Sequence, residues 1–265
     1  MAPTDQRDSD LRQALARLYD VDLLDDPGDL DLYLALAART GGPILELGAG
    51  TGRLSVPIAA AGFEVTAVDL DPAMLERARA RARAAGGTTA RRLEIVEADL
   101  LGLELPAAGR FRLAFIALNS LFLLATRDAQ RAAFATLARH LAPGGLAVVD
   151  VWLPDADDLG RFDGRLILEY ERVDPESGHL VTKTAAAQHD ATTGSVNLTV
   201  LYDEGEQGSA PIRWVRRDAL RLVSPDELRD FAESVGLVVE AIAGDYDLGA
   251  LSSGSDRAIV VARRD

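Results

Sequence analysis

Apolar and polar positions alternate in two different rhythms along the chain. Residues up to about Asp10 are polar and predict a frayed start. Leu11, Leu15 and Leu18 then share one face of a helix over Leu11–Tyr19, and a second helix follows over Asp29–Arg39, stopped by Gly41, Gly42 and Pro43. From Ile44 the pattern becomes short apolar runs separated by helical stretches. Strands are predicted at Ile44–Leu47, Phe63–Val68, Leu93–Glu97, Leu113–Leu118 and Leu146–Val151. Helices are predicted between them at Leu54–Ala61, Pro72–Ala85 and Arg127–His140, with Asp71 as N-cap and Pro72 at the first helical position. Strands alternating with helices predict a parallel sheet covered on both faces.

After Pro154 the rhythm changes. Leu166–Val173, His179–Gln188, Ser195–Tyr202 and Ile212–Leu222 read as successive strands joined by turns rich in Gly, Pro, Asp and Ser. They predict an antiparallel insertion at 161–222. The α/β pattern resumes at Ser224-Pro225-Asp226-Glu227, a capping box, and closes with strands at Leu237–Ala243 and Ala258–Ala262. The core is therefore expected at 1–160, with an N-terminal helical cap, and at 223–265.

Composition removes whole classes of chemistry. The 265 residues contain no cysteine, so disulfides, thiol catalysis and cysteine-ligated metals are excluded. The three histidines, His140, His179 and His189, lack metal-ligand spacing, so no metal site is expected. A formal net charge of −14 opposes phosphate backbones and argues against nucleic acid as partner. The polar, acidic start resembles no signal peptide and no long apolar run occurs, so the expected location is cytoplasmic, with no membrane partner.

The candidate chemistry lies in Glu46-Leu47-Gly48-Ala49-Gly50-Thr51-Gly52-Arg53, between a strand and a helix. Glycines there allow a sharp turn and close approach of a ligand, whose polar groups loop N–H groups could hold. A dinucleotide fingerprint would place its third glycine at position 53, which is Arg53, and a Walker loop would need a Gly-Lys pair; neither is present. The next strand ends in Asp69, about 20 residues on, where a carboxylate can accept both hydroxyls of a ribose. Helix capping is the other reading of Asp69, but Asp71 already fills that role. Asp99, at the end of the third strand, is either an acceptor for an adenine amino group or a solvated loop residue.

As a set these segments resemble the class I S-adenosylmethionine-dependent methyltransferase family: ILELGAGTGR its first motif, VTAVDLDPAML its second, IVEADL its third, and LARHLAPGGLAVVD the approach to its fifth strand. The resemblance implies a Rossmann-like α/β fold, a seven-stranded sheet whose seventh strand is antiparallel, and S-adenosylmethionine as cofactor. It implies that Gly48, Ala49 and Gly50 pass under the methionine portion. Glu46 would favour the cationic end of the cofactor, with Arg53 in the same loop. Asp69 would bind the ribose, Leu70 would pack on adenine, and Asp99 and the Leu100 backbone would read the base. Leu118 would lie beside the sulfonium. Tyr19, followed by Asp20, resembles a tyrosine that covers the cofactor in some small-molecule members, or else is an amphipathic helix-end residue.

The layout, with its β insertion, is similar to that of amino-sugar N-methyltransferases. This implies methyl transfer to nitrogen or oxygen of a small-molecule acceptor, with the insertion as lid or homodimer contact. After the fourth strand the chain reads Asn119-Ser120-Leu121-Phe122, without the Pro-Pro-aromatic signature of base-amino methylation. Asn119, Phe122, Trp152 and Arg213 are candidate acceptor contacts, and Asp245 and Tyr246 candidate catalytic residues that could orient or deprotonate the acceptor. Turn formation accounts equally for Asp245 and Tyr246, and a solvated sheet face for Arg213. A non-catalytic S-adenosylmethionine-binding protein, a nucleic-acid or protein methyltransferase and a nicotinamide-dependent oxidoreductase remain the rival readings.

Overall fold

The computed structural model describes residues 3–106, 108–206 and 208–265. Its strands are β1 (Ile44–Leu47), β2 (Val65–Asp69), β3 (Leu93–Glu97), β4 (Phe111–Ile116), β5 (Leu141–Trp152), β6 (Ile167–Val173), β7 (Leu180–Asp190), β8 (Ser195–Gly205), β9 (Ile212–Arg221), β10 (Leu237–Ala243) and β11 (Arg257–Arg264). Its helices are α1 (Pro3–Asp22), α2 (Leu30–Thr40), α3 (Ser55–Ala60), α4 (Pro72–Ala84), α5 (Gly87–Arg92), α6 (Arg127–His140), α7 (Ala156–Arg161) and α8 (Pro225–Ser234). The chain divides into two compact units, one of residues 27–154 and 223–265, the other of residues 1–26 and 155–222.

The first unit is a seven-stranded sheet in the order β10-β11-β5-β4-β1-β2-β3. All its pairs among β1 to β5 are parallel, and β11 runs antiparallel to both β5 and β10. The seventh strand of this sheet is thus antiparallel, as the resemblance implies. Strands β1 and β4 are buried almost throughout, as expected of strands covered on both faces. Strand order reverses between β1 and β4, and loops at the carboxyl ends on either side of such a reversal diverge to leave a crevice.

Local chemistry explains the boundaries. Asp71 accepts the Ala73 amide and caps α4, with Pro72 at the first position. Ser224 and Glu227 form a reciprocal capping box at α8. Several boundaries differ from the pattern-based reading, two of them with a visible cause. Helix α1 begins at Pro3 instead of fraying to Asp10, helped by a Gln6–Asp10 side-chain bond of 2.7 Å. Strand β5 starts at Leu141 because Leu141 pairs with Phe111; the chain then bulges before Leu146 takes up register opposite Leu113. Gly145 makes that detour fit, since a Cβ there would lie 2.8 Å from the Phe111 carbonyl oxygen.

The second unit is the antiparallel sheet β6-β7-β8-β9 with α1 against it. Leu18 packs among Val181, Ala185, Val200 and Tyr202, with Leu15, Tyr170 and Trp214 at the margin. Polar anchors flank this core. Arg17 pairs with Asp174 and Glu204, and Asp22 accepts the hydroxyls of Tyr170 (2.6 Å) and Tyr202 (2.8 Å) and pairs with Lys183.

Candidate functional site

The carboxyl ends of β1 to β5 gather the sequence-predicted residues of the first unit. After β1 the chain turns through Gly48 (φ 74°), Gly50 (φ 54°) and Gly52 (φ 75°), a left-handed region that residues with a Cβ rarely adopt. Space is short as well. A Cβ on Gly48 would sit 3.3 Å from Cβ of Ser120, so the loops after β1 and β4 touch. The loop N–H groups are committed internally: Gly48 and Ala49 both donate to the Val68 carbonyl (2.8 and 3.0 Å), and Gly50 donates to Asp69 Oδ2 at 2.8 Å. The expectation that these N–H groups hold a ligand is therefore corrected. Glycine serves the close approach and the turn, while the amides tie the loop to β2.

Asp69 is the hub of that tie. Its Oδ1 accepts the Asp71 amide at 2.9 Å, and each carboxylate oxygen keeps a further lone pair. Leu70, beside it, is 66 % exposed, which is unusual for a leucine next to a buried strand. Asp99 is exposed, with Oδ1 accepting the Leu101 amide at 2.8 Å. The backbone carbonyl of Leu100 accepts the Thr136 hydroxyl. Asp69 pairs with Glu97 in the sheet and its carbonyl accepts the Ala98 amide, so the loops carrying Asp69 and Asp99 are adjacent.

Beneath the loops lies a set of buried acids. Glu46, on β1, is 3 % exposed and has the Ser55 hydroxyl as a close partner. Burial pushes its carboxyl up to about 8, although Ser55 and Arg53 pull the other way. Asp29 is fully buried and holds Arg53 through two bonds of 2.5 and 2.6 Å, so the Arg53 side chain reaches α2's entry point. Asp150, on β5, is fully buried too; it accepts the Leu118 amide (3.2 Å) and the Tyr246 hydroxyl (3.1 Å) and pairs with Arg257. Burial raises its carboxyl despite Arg257. Tyr33, from α2, is also fully buried, and its hydroxyl has no hydrogen-bond partner.

Leu118 (φ 46°) and Asn119 (φ 67°) are both left-handed, a strained arrangement for residues with a Cβ. Asp150 holds the first through its amide, and Asn119 Oδ1 fixes the second by accepting the Trp152 amide at 2.6 Å. Phe122 packs into the core at 4 % exposure, leaving Leu123 outside at 53 %. Asp245 closes its own turn by accepting the Gly249 amide at 2.8 Å. Tyr246 donates to Asp150, and burial with that neighbouring charge holds its proton well above the ordinary phenol range. Tyr19 and Arg213 belong to the other unit, Tyr19 in the last turn of α1 and Arg213 in a two-bond pair with Asp203.

The pattern of apolar positions misses Asp29, Tyr33, Asp150 and Arg257. Each sits inside or beside a predicted element, and only the tertiary pairing marks it. The one available signal is a charge in otherwise apolar VVDVW.

Residues 44–145 match the family model described as a methyltransferase domain. Among curated relatives, an uncharacterised protein of Mycobacterium bovis is 35 % identical over 199 residues, 73 % of this chain and 63 % of its own length. The chain thus spans under two thirds of that relative. A cypemycin N-terminal methyltransferase of a Streptomyces species is 28 % identical over 84 % of each chain. Among solved structures, the CcbJ methyltransferase of Streptomyces caelestis has a TM-score of 0.75 at 25 % identity, covering 90 % of this chain and 96 % of its own. CalS10 of Micromonospora echinaspora, an amino pentose methyltransferase solved with S-adenosylmethionine bound, has a TM-score of 0.68 at 20 % identity, covering 94 % and 97 %.

A methyltransferase domain, this strand order and loops converging at the reversal point define a Rossmann-like S-adenosylmethionine-binding protein. Over residues 44–145 the chain carries a methyltransferase domain, and its fold is shared with methyltransferases, one of them solved with S-adenosylmethionine bound. The residues present fit that cofactor: a left-handed glycine turn in tight contact with the loop after β4, and an exposed Leu70 next to Asp69, with Asp99 in the adjacent loop.

Proposed function

We propose that the chain transfers a methyl group from S-adenosylmethionine to nitrogen or oxygen of a small-molecule acceptor, with an amine the acceptor to test first. The observation that carries the reading is the succession of the Gly48–Gly52 turn, Asp69, Leu70 and Asp99 along the carboxyl ends of β1, β2 and β3, beginning at the reversal point of the sheet. Relatives named as an N-terminal and an amino pentose methyltransferase support an amine.

When bound, the cofactor supplies an already activated methyl on a sulfonium, so the protein's task is alignment and exclusion of water. Asp69 would accept the ribose hydroxyls while keeping the Gly50 amide. Leu70 would cover the adenine, and Asp99 with the Leu100 backbone would read its edge. Gly48, Ala49 and Gly50 would let the methionine portion approach the backbone. Glu46 would favour its cationic end, with Arg53 holding the loop to Asp29. Leu118 and Asn119, held by Asp150 and Trp152, would set the floor beside the reacting carbon. A neutral amine needs no strong base, and Asp245 or Tyr246 would orient it.

The insertion 161–222, with Tyr19 and Arg213 in the same unit, is assigned to a homodimer contact. Exposed Leu166, Ile167, Leu168 and Ile212, on or next to the outermost strands of the insertion, support that role. Among the described residues no helix is long and apolar enough to cross a membrane.

Calorimetric titration with S-adenosylhomocysteine tests the reading, with Asp69→Ala and NAD as controls. Binding that Asp69→Ala weakens by about 1–3 kcal/mol, the scale of a lost hydrogen bond to a charged group, is expected. Equal binding by the variant, or preference for NAD, removes the cofactor assignment. Methylated product from an amine panel then tests catalysis, and binding without any product across amines and alcohols would favour a non-catalytic binder.

A further inference from the structure

Helix α6 carries a threonine, Thr136, at a fully buried position. Valine has the same shape and would bring no polar group into the core, where a hydroxyl has to be bonded. A threonine inside a helix commonly turns its hydroxyl back onto the carbonyl one turn earlier. Thr136 instead donates out of the helix, to the Leu100 carbonyl at 2.9 Å. Leu100 lies 36 positions earlier in the chain, in the loop after β3.

The peptide unit between Leu100 and Leu101 is held at both ends. Its carbonyl accepts from Thr136, and its N–H donates to Asp99 Oδ1 at 2.8 Å. Two hydrogen bonds in line across one peptide polarise and strengthen each other. Thr136 is fixed by the core, the peptide by Thr136, and the exposed Asp99 carboxylate by the peptide. The last turn of α6 grips the same loop further on. The Leu105 amide donates to His140 Nε2 at 3.3 Å, and the Gly109 amide donates to the His140 carbonyl at 3.1 Å.

We propose that Thr136 is a positioning residue that sets the preference for adenine in the methyl donor. It acts through the Leu100–Leu101 peptide, keeping the Asp99 carboxylate, an acceptor, and the Leu100 N–H, a donor, in one fixed arrangement. Adenine presents the matching edge, an amino group beside an acceptor nitrogen. A 6-oxo purine presents the reverse, a carbonyl beside an N–H, and leaves both protein groups unpaired. The assignment rests on the base-reading role given above to Asp99 and Leu100, and adds the residue behind them.

Calorimetry tests it with S-adenosylhomocysteine and its 6-oxo counterpart, S-inosylhomocysteine, on the wild-type protein, Thr136→Val and Thr136→Ser. The wild-type protein should bind the adenosyl ligand at least about tenfold more tightly. Thr136→Val keeps the shape and loses the donor, so adenosyl affinity should fall about tenfold while inosyl affinity holds, and the preference shrinks. Thr136→Ser keeps the hydroxyl and should keep the preference. An unchanged preference in Thr136→Val overturns the proposal, and a proportional loss of both ligands marks a purely structural role. Loss of preference in Thr136→Ser to the same degree also overturns it, since the hydroxyl is then not the cause. If Thr136→Val does not fold, Thr136→Ala makes the same comparison. A wild-type protein that binds neither ligand, or both equally, removes the base reading itself, an outcome distinct from the others.

Discussion

Substituting Asp150 by asparagine removes the charge that faces Arg257 while keeping the shape of the side chain. The carboxylate is fully buried and receives three donors: the Leu118 amide, the Tyr246 hydroxyl and the Arg257 guanidinium. Asparagine retains a carbonyl oxygen, so bonds from Leu118 and Tyr246 can partly survive. What disappears is the countercharge of an arginine that is 17 % exposed and lies over the Tyr246 ring at 4.2 Å. Breaking a buried pair costs about 3–5 kcal/mol. The guanidinium recovers part of that by turning toward water, so the expected loss is about 2–4 kcal/mol. Urea unfolding followed by tryptophan fluorescence measures it. The chain has two tryptophans, Trp152 in the sheet unit and Trp214 in the insertion unit, so a Trp214→Phe background isolates the relevant signal. Arg257→Met should cost a similar amount, and the double variant less than the sum by at least about 1 kcal/mol, as for residues sharing one network. A loss under about 1 kcal/mol for Asp150→Asn, or strict additivity, would refute the assigned coupling.

Two further outcomes follow from the same geometry. Gly52→Ala should destabilise the unliganded protein by about 1–3 kcal/mol, because φ is +75° and the new Cβ would lie 3.1 Å from Ala78 Cβ; an unchanged urea midpoint would contradict this. Glu46→Gln should change the pH profile of stability. Glu46 has a folded-state pKa raised to about 8 from an ordinary 4.5, so the folded state binds the extra proton between those values. The associated stability is fully present below pH 4.5 and is lost as pH rises through 8. Glutamine mimics the protonated form, so melting temperatures across that window should fall less steeply in the variant than in the wild-type protein; parallel profiles would sink the idea.

Elements whose side chains follow one face are legible in the order of residues alone. Leu93–Glu97, Leu237–Ala243 and the Ser224 capping box lie where the apolar rhythm and the cap chemistry put them. The glycine turn and the two carboxylates at Asp69 and Asp99 are legible for a different reason, since their spacing is fixed by strand length. Gly87–Arg92 does not read as a helix, because GTTARR offers no apolar period. Nor does the pattern suggest that Arg53 turns to Asp29, or that Asp150 holds Leu118 in a left-handed turn. Such pairings join residues 24 and 32 positions apart, and a local pattern carries no trace of them.

Helix α1 completes its sheet at a distance along the chain. Leu18 finds Val181, Val200 and Tyr202 only after the whole of residues 27–154 has been made. At about 5–20 residues per second, a nascent α1 waits roughly ten to thirty seconds for its partners. Isolated, α1 lacks the tertiary packing that supplies most of a helix's stability, and its apolar face stays uncovered throughout. The order of synthesis therefore completes the α1–insertion unit before residues 223–265 finish the sheet unit, and leaves the α1 face open until the insertion has been made. During that interval a chaperone or a neighbouring nascent chain competes for the surface that later seals the insertion.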